Sequence, residues 1–167
     1  MDKVFEELLE ADNTLFIFDF DGTLIECRYG SGHLCILGVI NEDANLLIRD
    51  LTKNVYKEKS PIAPIYKIVE KINNSGRGIK VLTQIHNGME LMHKMEWVEY
   101  HDICEGKDVI GVINSNDKLA VLEFYCKKYD NVVYIDDNVA ALILFEEHMK
   151  SYGINNCNFY HVSSLLT

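Results

Sequence analysis

Residues 14–24 of the chain, Thr-Leu-Phe-Ile-Phe-Asp-Phe-Asp-Gly-Thr-Leu, carry the prediction of the fold. The first five form a continuous apolar run, which is typical of a strand buried on both faces of a parallel sheet. Asp19 and Asp21 follow where this strand ends, and Gly22 permits a tight turn there. Two carboxylates two residues apart on a strand point the same way. Clustering two carboxylates at the end of a buried strand costs several kcal/mol unless a cation compensates, so we expect a divalent cation there. If these two residues are considered by themselves, a solvated acidic turn is the alternative.

The rest of the chain alternates β-rich runs with helical patterns. Further strands are predicted at 79–82, 109–113, 131–135 and 158–162, and helices at 60–76, 86–100, 115–129 and 139–152, after a first helix that carries Val4, Phe5, Leu8 and Leu9. Strands that alternate with helices of this length imply βαβ units. The predicted fold is therefore α/β, a doubly wound parallel sheet in one domain that spans residues 1–167.

Residues 25–60 interrupt this alternation, because the connection is longer than a usual βα loop. Its second part has apolar residues at helical spacing over 44–55, behind Asn41 as a possible cap. We interpret it as a small insertion over the C-terminal edge of the sheet, where ligands bind in such folds. Arg28 and His33 are candidates for substrate recognition, although a solvated loop is the preferred interpretation of each. The glycines of 30–32 are no dinucleotide fingerprint, because the third glycine is missing.

Polar residues also follow three later strands or begin the helices after them. Thr83 ends the strand 79–82, Lys118 lies near the start of a helix, and Asp136 and Asp137 end the strand 131–135. Taken singly, Thr83 is an ordinary strand-end hydroxyl and Lys118 an exposed helix lysine. The run Asp136-Asp137-Asn138 could likewise be only a helix cap. Their order along the chain behind the first acidic pair favours a shared site.

This order resembles the four motifs of the haloacid dehalogenase superfamily, over residues 14–138 of the chain. Residues 19–23, Asp-Phe-Asp-Gly-Thr, resemble the first motif in its phosphatase form. Relatives that dehalogenate lack an aspartate at the position of Asp21, as phosphonate-cleaving relatives usually do. The resemblance therefore implies hydrolysis of a phosphate monoester.

The resemblance also implies the catalytic roles. Asp19 would attack phosphorus and form an aspartyl-phosphate, which divides one difficult displacement into two easier ones. Asp21 would protonate the leaving oxygen and then deprotonate the hydrolytic water. Thr83 would bind a phosphoryl oxygen, and Lys118 would offset the charge that develops on the transferring group. Gln84, where many relatives carry asparagine, is a third candidate for substrate binding.

A magnesium site follows from the same resemblance. The implied ligands are the Asp19 carboxylate, the Phe20 backbone carbonyl and Asp136, with Asp137 acting directly or through water. Asp21 is also included among the residues of the implied metal site.

Three other functions use the same residues. A phosphotransferase or phosphomutase would keep the site and change the acceptor, but the resembling mutases usually carry a larger cap. A phosphorylatable receiver domain combines similar residues in another order. A catalytic fold retained only for partner binding would not need every reactive position intact.

Composition limits the partners and the compartment. Apolar residues make up 48% of the chain and charged residues 25%, which is ordinary for a globular protein. The net charge of −10 argues against non-specific binding to nucleic acid or anionic membranes. The expected partner is a phosphorylated substrate, a small molecule by preference, with a bulky or macromolecular phosphoester as the alternative because the insertion is short. A second subunit could cover the site. No apolar run is long enough to span a bilayer and no signal peptide is evident, so a cytoplasmic location is expected. The cysteines indicate neither a disulfide framework nor a zinc cluster: Cys27, Cys35, Cys104, Cys126 and Cys157.

Overall fold

A five-stranded parallel sheet forms the centre of the protein. The computed structural model describes residues 2–26 and 54–166. The strands of the sheet are β1 (Thr14–Phe18), β2 (Gly78–Gln84), β3 (Val109–Val112), β4 (Asn131–Asp136) and β5 (Cys157–His161). They lie in the order β3-β2-β1-β4-β5, and all neighbours are parallel. The predicted α/β, doubly wound parallel sheet is confirmed.

Within residues 2–26 and 54–166, five helices cover the two faces of this sheet. They are α1 (Lys3–Glu10), α2 (Ala63–Asn74), α3 (Gly88–Tyr100), α4 (Asp117–Cys126) and α5 (Val139–Ser151), and two short 3-10 helices occupy Gly106–Asp108 and Val162–Leu165. Helices α1, α2 and α3 pack against the β1 face that carries Phe16 and Phe18. Helices α4 and α5 pack against the opposite face, which carries Leu15 and Ile17. The alternation of side chains along a buried strand produces these two cores.

Several predicted helix starts are wrong by a few residues. Helix α2 begins at Ala63 and not at Ser60, and no side chain caps it. Helix α3 begins at Gly88, because the Asn87 side chain accepts a hydrogen bond from the Glu90 amide at 2.8 Å. Residues 27–53, which hold most of the predicted insertion with Arg28 and His33, lie outside the described residues.

The order of the strands determines where a ligand can bind. The chain runs from β1 outward to β3 and then returns to place β4 on the other side of β1. Ligands in open α/β sheets bind at the carboxyl ends of the strands where the order reverses. Asp19 lies at this point, and its amide donates a hydrogen bond to the Ile135 carbonyl at 2.9 Å.

Among the described residues, no helix is both long and apolar enough to cross a membrane.

Candidate active site

Three carboxylates converge at the carboxyl ends of β1 and β4. Asp19, Asp136 and Asp137 each offer one oxygen, and these oxygens lie within 4.8 Å of one another. Asp19 and Asp136 are 7% and 2% exposed, whereas Asp137 is exposed. Carboxylate oxygens at this spacing are the donor set that a hard divalent cation prefers. The three residues could therefore hold a metal ion.

Lys118 enters this carboxylate cluster from α4. Its ammonium donates a hydrogen bond to Asp19 Oδ1 at 2.6 Å and lies 3.4 Å from Asp136 Oδ2. The Tyr134 hydroxyl, which the sequence analysis did not identify, donates to the same Asp136 oxygen at 2.5 Å and accepts from Lys118 at 3.2 Å. Tyr134 precedes Asp136 by two residues, so both side chains lie on one face of β4.

The charges of this cluster are not balanced within the described part of the chain. Burial, assisted by the charge of Asp136, raises the pKa of Asp19 to about 7 even though Lys118 opposes the shift. Loss of hydration and the Asp136 charge raise the pKa of Asp137 to about 6. Burial would lower the pKa of Lys118, but Asp19 and Asp136 outweigh it and raise the value. With all three carboxylates ionised, the cluster would carry two more negative charges than its one ammonium offsets; a divalent cation would neutralise this excess and favour the ionised forms.

Asp21 belongs to a second group of polar side chains. Its carboxylate is 42% exposed and accepts a hydrogen bond from the Lys94 ammonium at 2.8 Å. The same ammonium donates to Thr83 Oγ1 at 2.7 Å. Lys94 thus connects two predicted catalytic residues, Asp21 at the end of β1 and Thr83 on β2. The Asp21 carboxylate is not one of the three clustered carboxylates found within the described residues.

Lys94 is a functional candidate that the sequence analysis missed. It is 0% exposed and lies on the side of α3 that packs on the sheet, between Leu91 and Val98. A lysine within the apolar stripe of a helix is rare in a protein interior unless it is paired. A lysine at an apolar position of the predicted helix is therefore the sequence pattern that could have identified Lys94.

The structure argues against the Phe20 carbonyl as a metal ligand. Its oxygen accepts hydrogen bonds from the backbone amides of Thr23, Leu24 and Ile25 at 3.4, 3.0 and 3.3 Å. A carbonyl oxygen has two lone pairs, so these amides already use its acceptor capacity. In the described part of the chain no hydrogen bond reaches the Asp21 carbonyl, which makes it the better backbone candidate of this turn.

Two further predicted residues have other partners. The Gln84 side-chain amide is exposed and donates to the Ile113 carbonyl at 3.0 Å, so a substrate contact would require it to turn. Of the three residues considered as a cap of the following helix, Asn138 takes that role: its side chain accepts a hydrogen bond from the Ala141 amide at 3.1 Å. Asp136 and Asp137 therefore do not cap α5.

We expect the substitution Gly22→Ala to weaken the site and destabilise the fold. Gly22 has a φ of +80°, and a Cβ atom there would lie 2.2 Å from Asp137 Oδ2. The left-handed backbone costs roughly 1 kcal/mol for a residue with a side chain, and Asp137 must also move. Urea denaturation and magnesium titration would measure both effects. Gly76→Ala is the control, because it shares the positive φ of +73° but has open space around it. If Gly22→Ala and Gly76→Ala lost the same amount of unfolding free energy and of magnesium affinity, the proposed contact with Asp137 would be contradicted.

The fold is similar to that of solved haloacid dehalogenase domains. The HAD domain of the effector protein Lem4 from Legionella pneumophila is 12% identical, the match covers 89% of this chain and 85% of that chain, and the TM-score is 0.51. A haloacid dehalogenase-like hydrolase from Burkholderia xenovorans LB400 is 13% identical, with 89% and 81% of the chains covered and a TM-score of 0.50. No protein-family model and no curated protein sequence matches the chain. The protein therefore has the haloacid dehalogenase-like fold, as the resemblance of its motifs predicted.

Proposed function

We propose that the protein is a magnesium-dependent phosphohydrolase that cleaves phosphate monoesters through an aspartyl-phosphate at Asp19. The observation that carries the proposal is the arrangement at the end of β1. A buried Asp19 lies in a cluster of three carboxylates with Lys118, and a partly exposed Asp21 lies outside that cluster. Two carboxylates in different environments are suited to different roles, one as a nucleophile and the other as an acid and base.

The reaction would proceed in two displacements. An Asp19 carboxylate oxygen forms a bond to phosphorus while the bond from phosphorus to the ester oxygen breaks, and Asp21 gives a proton to that leaving oxygen. A water molecule then attacks phosphorus, its proton passes to Asp21, and the Asp19 carboxylate is released together with inorganic phosphate. Lys118 offsets negative charge at the reacting centre.

The carboxylates of Asp19, Asp136 and Asp137 would hold the magnesium ion. Bound there, magnesium supplies neutralisation of the phosphoryl charge and orients the group for in-line attack. The excess of negative charge in this cluster supports the assignment. A small phosphorylated molecule is the substrate class that we propose, because the net charge of −10 disfavours polyanionic partners.

Release of inorganic phosphate from phenyl phosphate tests the proposal. We expect turnover with magnesium, loss of turnover with a chelator, and recovery when magnesium is restored. Calcium is the control cation, because it binds carboxylates with a looser geometry and should support little or no turnover. Turnover that persists in chelator would contradict the metal dependence. Magnesium binding without release from a panel of phosphate monoesters would contradict the enzymatic function.

A further inference from the structure

Lys94 makes four polar contacts within the protein. Its ammonium lies 2.8 Å from Asp21 Oδ2, 2.7 Å from Thr83 Oγ1, 3.1 Å from the Gln84 carbonyl and 3.3 Å from Glu90 Oε1. An ammonium has three N–H donors, so these acceptors take its full hydrogen-bonding capacity. Since the side chain is 0% exposed, Lys94 cannot contact a substrate directly. Any effect on the reaction must pass through the residues that it holds.

Glu90 of the same helix and two aromatic rings also contact the Lys94 ammonium. Glu90 lies one helical turn before Lys94, and it also accepts a hydrogen bond from the His86 amide at 2.8 Å. Burial would raise the pKa of Glu90, but Lys94 and His86 outweigh it and lower the value. The ammonium lies 5.0 Å from the centroid of the Phe20 ring and 5.7 Å from that of Tyr56. These contacts favour one position for a side chain that is otherwise flexible.

Lys94 and Lys118 approach the carboxyl end of β1 from opposite faces of the sheet. Helix α3 packs with the core that contains Phe18, and α4 with the core that contains Ile17. Lys118 contacts Asp19, whereas Lys94 contacts Asp21. Each of the two carboxylates of the first motif therefore has its own buried lysine.

We propose that Lys94 is a positioning residue that orients Asp21 and Thr83 for the transfer of the phosphoryl group. This inference rests on the proposed function. By binding Asp21 Oδ2, the ammonium leaves Oδ1 as the oxygen that exchanges a proton with the leaving group. By donating to Thr83 Oγ1, it directs the hydroxyl proton of Thr83 away from Lys94. That proton is donated to the Gln84 carbonyl at 3.3 Å, a long contact that a phosphoryl oxygen would replace. A misplaced proton donor costs rate even when the donor itself is intact.

The test compares two substrates that differ in the basicity of the leaving group. Phenol is a poor leaving group that needs a proton, whereas dinitrophenol departs without one. We expect Lys94→Met to lower kcat/KM for phenyl phosphate by about 100-fold, the lower range of general-acid contributions. For dinitrophenyl phosphate the expected loss is less than about 10-fold. The parameter kcat/KM reports the step in which the ester bond breaks, so slow hydrolysis of the aspartyl-phosphate does not mask the difference.

Two variants serve as controls. Lys80→Met removes a partly buried lysine of β2 that pairs with Asp108 and does not contact the site. It should change kcat/KM for both substrates by less than twofold. Lys94→Gln keeps an N–H donor without the charge, and it replaces Lys94→Met if thermal denaturation shows that the methionine variant is unfolded. A combined Asp21→Ala and Lys94→Met variant should lose no more than about 10-fold beyond Asp21→Ala alone, because the proton transfer is already lost and only the orientation of Thr83 is still affected.

Each outcome decides the inference. A leaving-group-dependent loss in Lys94→Met or Lys94→Gln supports it. An equal loss of kcat/KM for both substrates, or no loss, overturns the positioning role of Lys94. In that case the proposed function still stands, because the wild-type protein hydrolyses the substrates. If wild-type protein hydrolyses neither substrate in magnesium, the proposed function fails and this inference fails with it.

Discussion

Replacement of Asp19 by asparagine is expected to lower kcat/KM for phenyl phosphate by roughly 10⁴-fold or more, because the amide cannot attack phosphorus. The fold should tolerate the change. Asparagine has the same shape and can still accept the hydrogen bond from Lys118, which is 2.6 Å in the wild-type protein. Burial already disfavours the charged form of this side chain, since the pKa of Asp19 is raised to about 7. In the absence of metal, Asp19→Asn should therefore be at least as stable as wild type.

The assay needs both activity and covalent labelling. Wild-type protein that is mixed with substrate and magnesium and then quenched in acid should carry a phosphate on the peptide containing Asp19. Asp19→Asn should carry none. Asp12→Asn is the matched control, because the Asp12 side chain is 99% exposed and lies before β1. Hydrolysis at the wild-type rate by Asp19→Asn would contradict the assignment of Asp19 as the nucleophile. A phosphate found on another residue would assign that role to the labelled residue instead.

Replacement of Lys118 by methionine is expected to affect both stability and activity. Among the described residues, Lys118 is the cation paired with both Asp19 and Asp136, and its side chain is 7% exposed. Without it, the metal-free protein would hold buried carboxylates with no compensating ammonium. Breaking a buried pair in this way costs about 3 kcal/mol of unfolding free energy. Activity should fall about 1000-fold, because a preorganised charge at the transferring group is lost.

Magnesium separates these two effects. In urea denaturation, the stability of Lys118→Met should be lowest in chelator and should recover partly with magnesium, because a divalent ion reduces the repulsion between the carboxylates. Activity should not recover with it. Lys80→Met is the control and should cost no more than about 1 kcal/mol, since its partly exposed ion pair is screened by water. Equal destabilisation of Lys118→Met in magnesium and in chelator would contradict a shared site for the lysine and the metal.

The fold and part of the site follow from patterns that are local in the sequence. The apolar run of β1 and the alternation of strands with helices indicate a parallel sheet, and the structure confirms it. Because parallel strands end at one edge, Asp19, Thr83 and Asp136 could be assigned to a common edge before their distances were known. Helix starts were less accurate. Helix α3 begins where Asn87 caps Glu90, and such a cap depends on backbone geometry that several nearby residues could provide.

Residues that act through contacts distant in the sequence were missed. Lys94 is 73 positions from Asp21 in the chain, and nothing in either local sequence relates them. The Phe20 carbonyl is assigned to the metal only by the resemblance to the superfamily's first motif. The turn after β1 instead directs that oxygen to the amides of residues 23–25. The direction of a backbone carbonyl depends on dihedral angles that residue identity does not specify in such a turn.

The sequence by itself determined the class of fold and the edge of the sheet where polar residues gather, because hydrophobic periodicity and residue order are properties of short segments. The tertiary structure alone decided how the charges of that edge are divided. Packing of α4 on one face of the sheet brings Lys118 to Asp19, and packing of α3 on the other brings Lys94 to Asp21. Electrostatic interactions depend on distance and burial, which arise only when the helices pack on the sheet. That packing gives the two aspartates of one motif different surroundings.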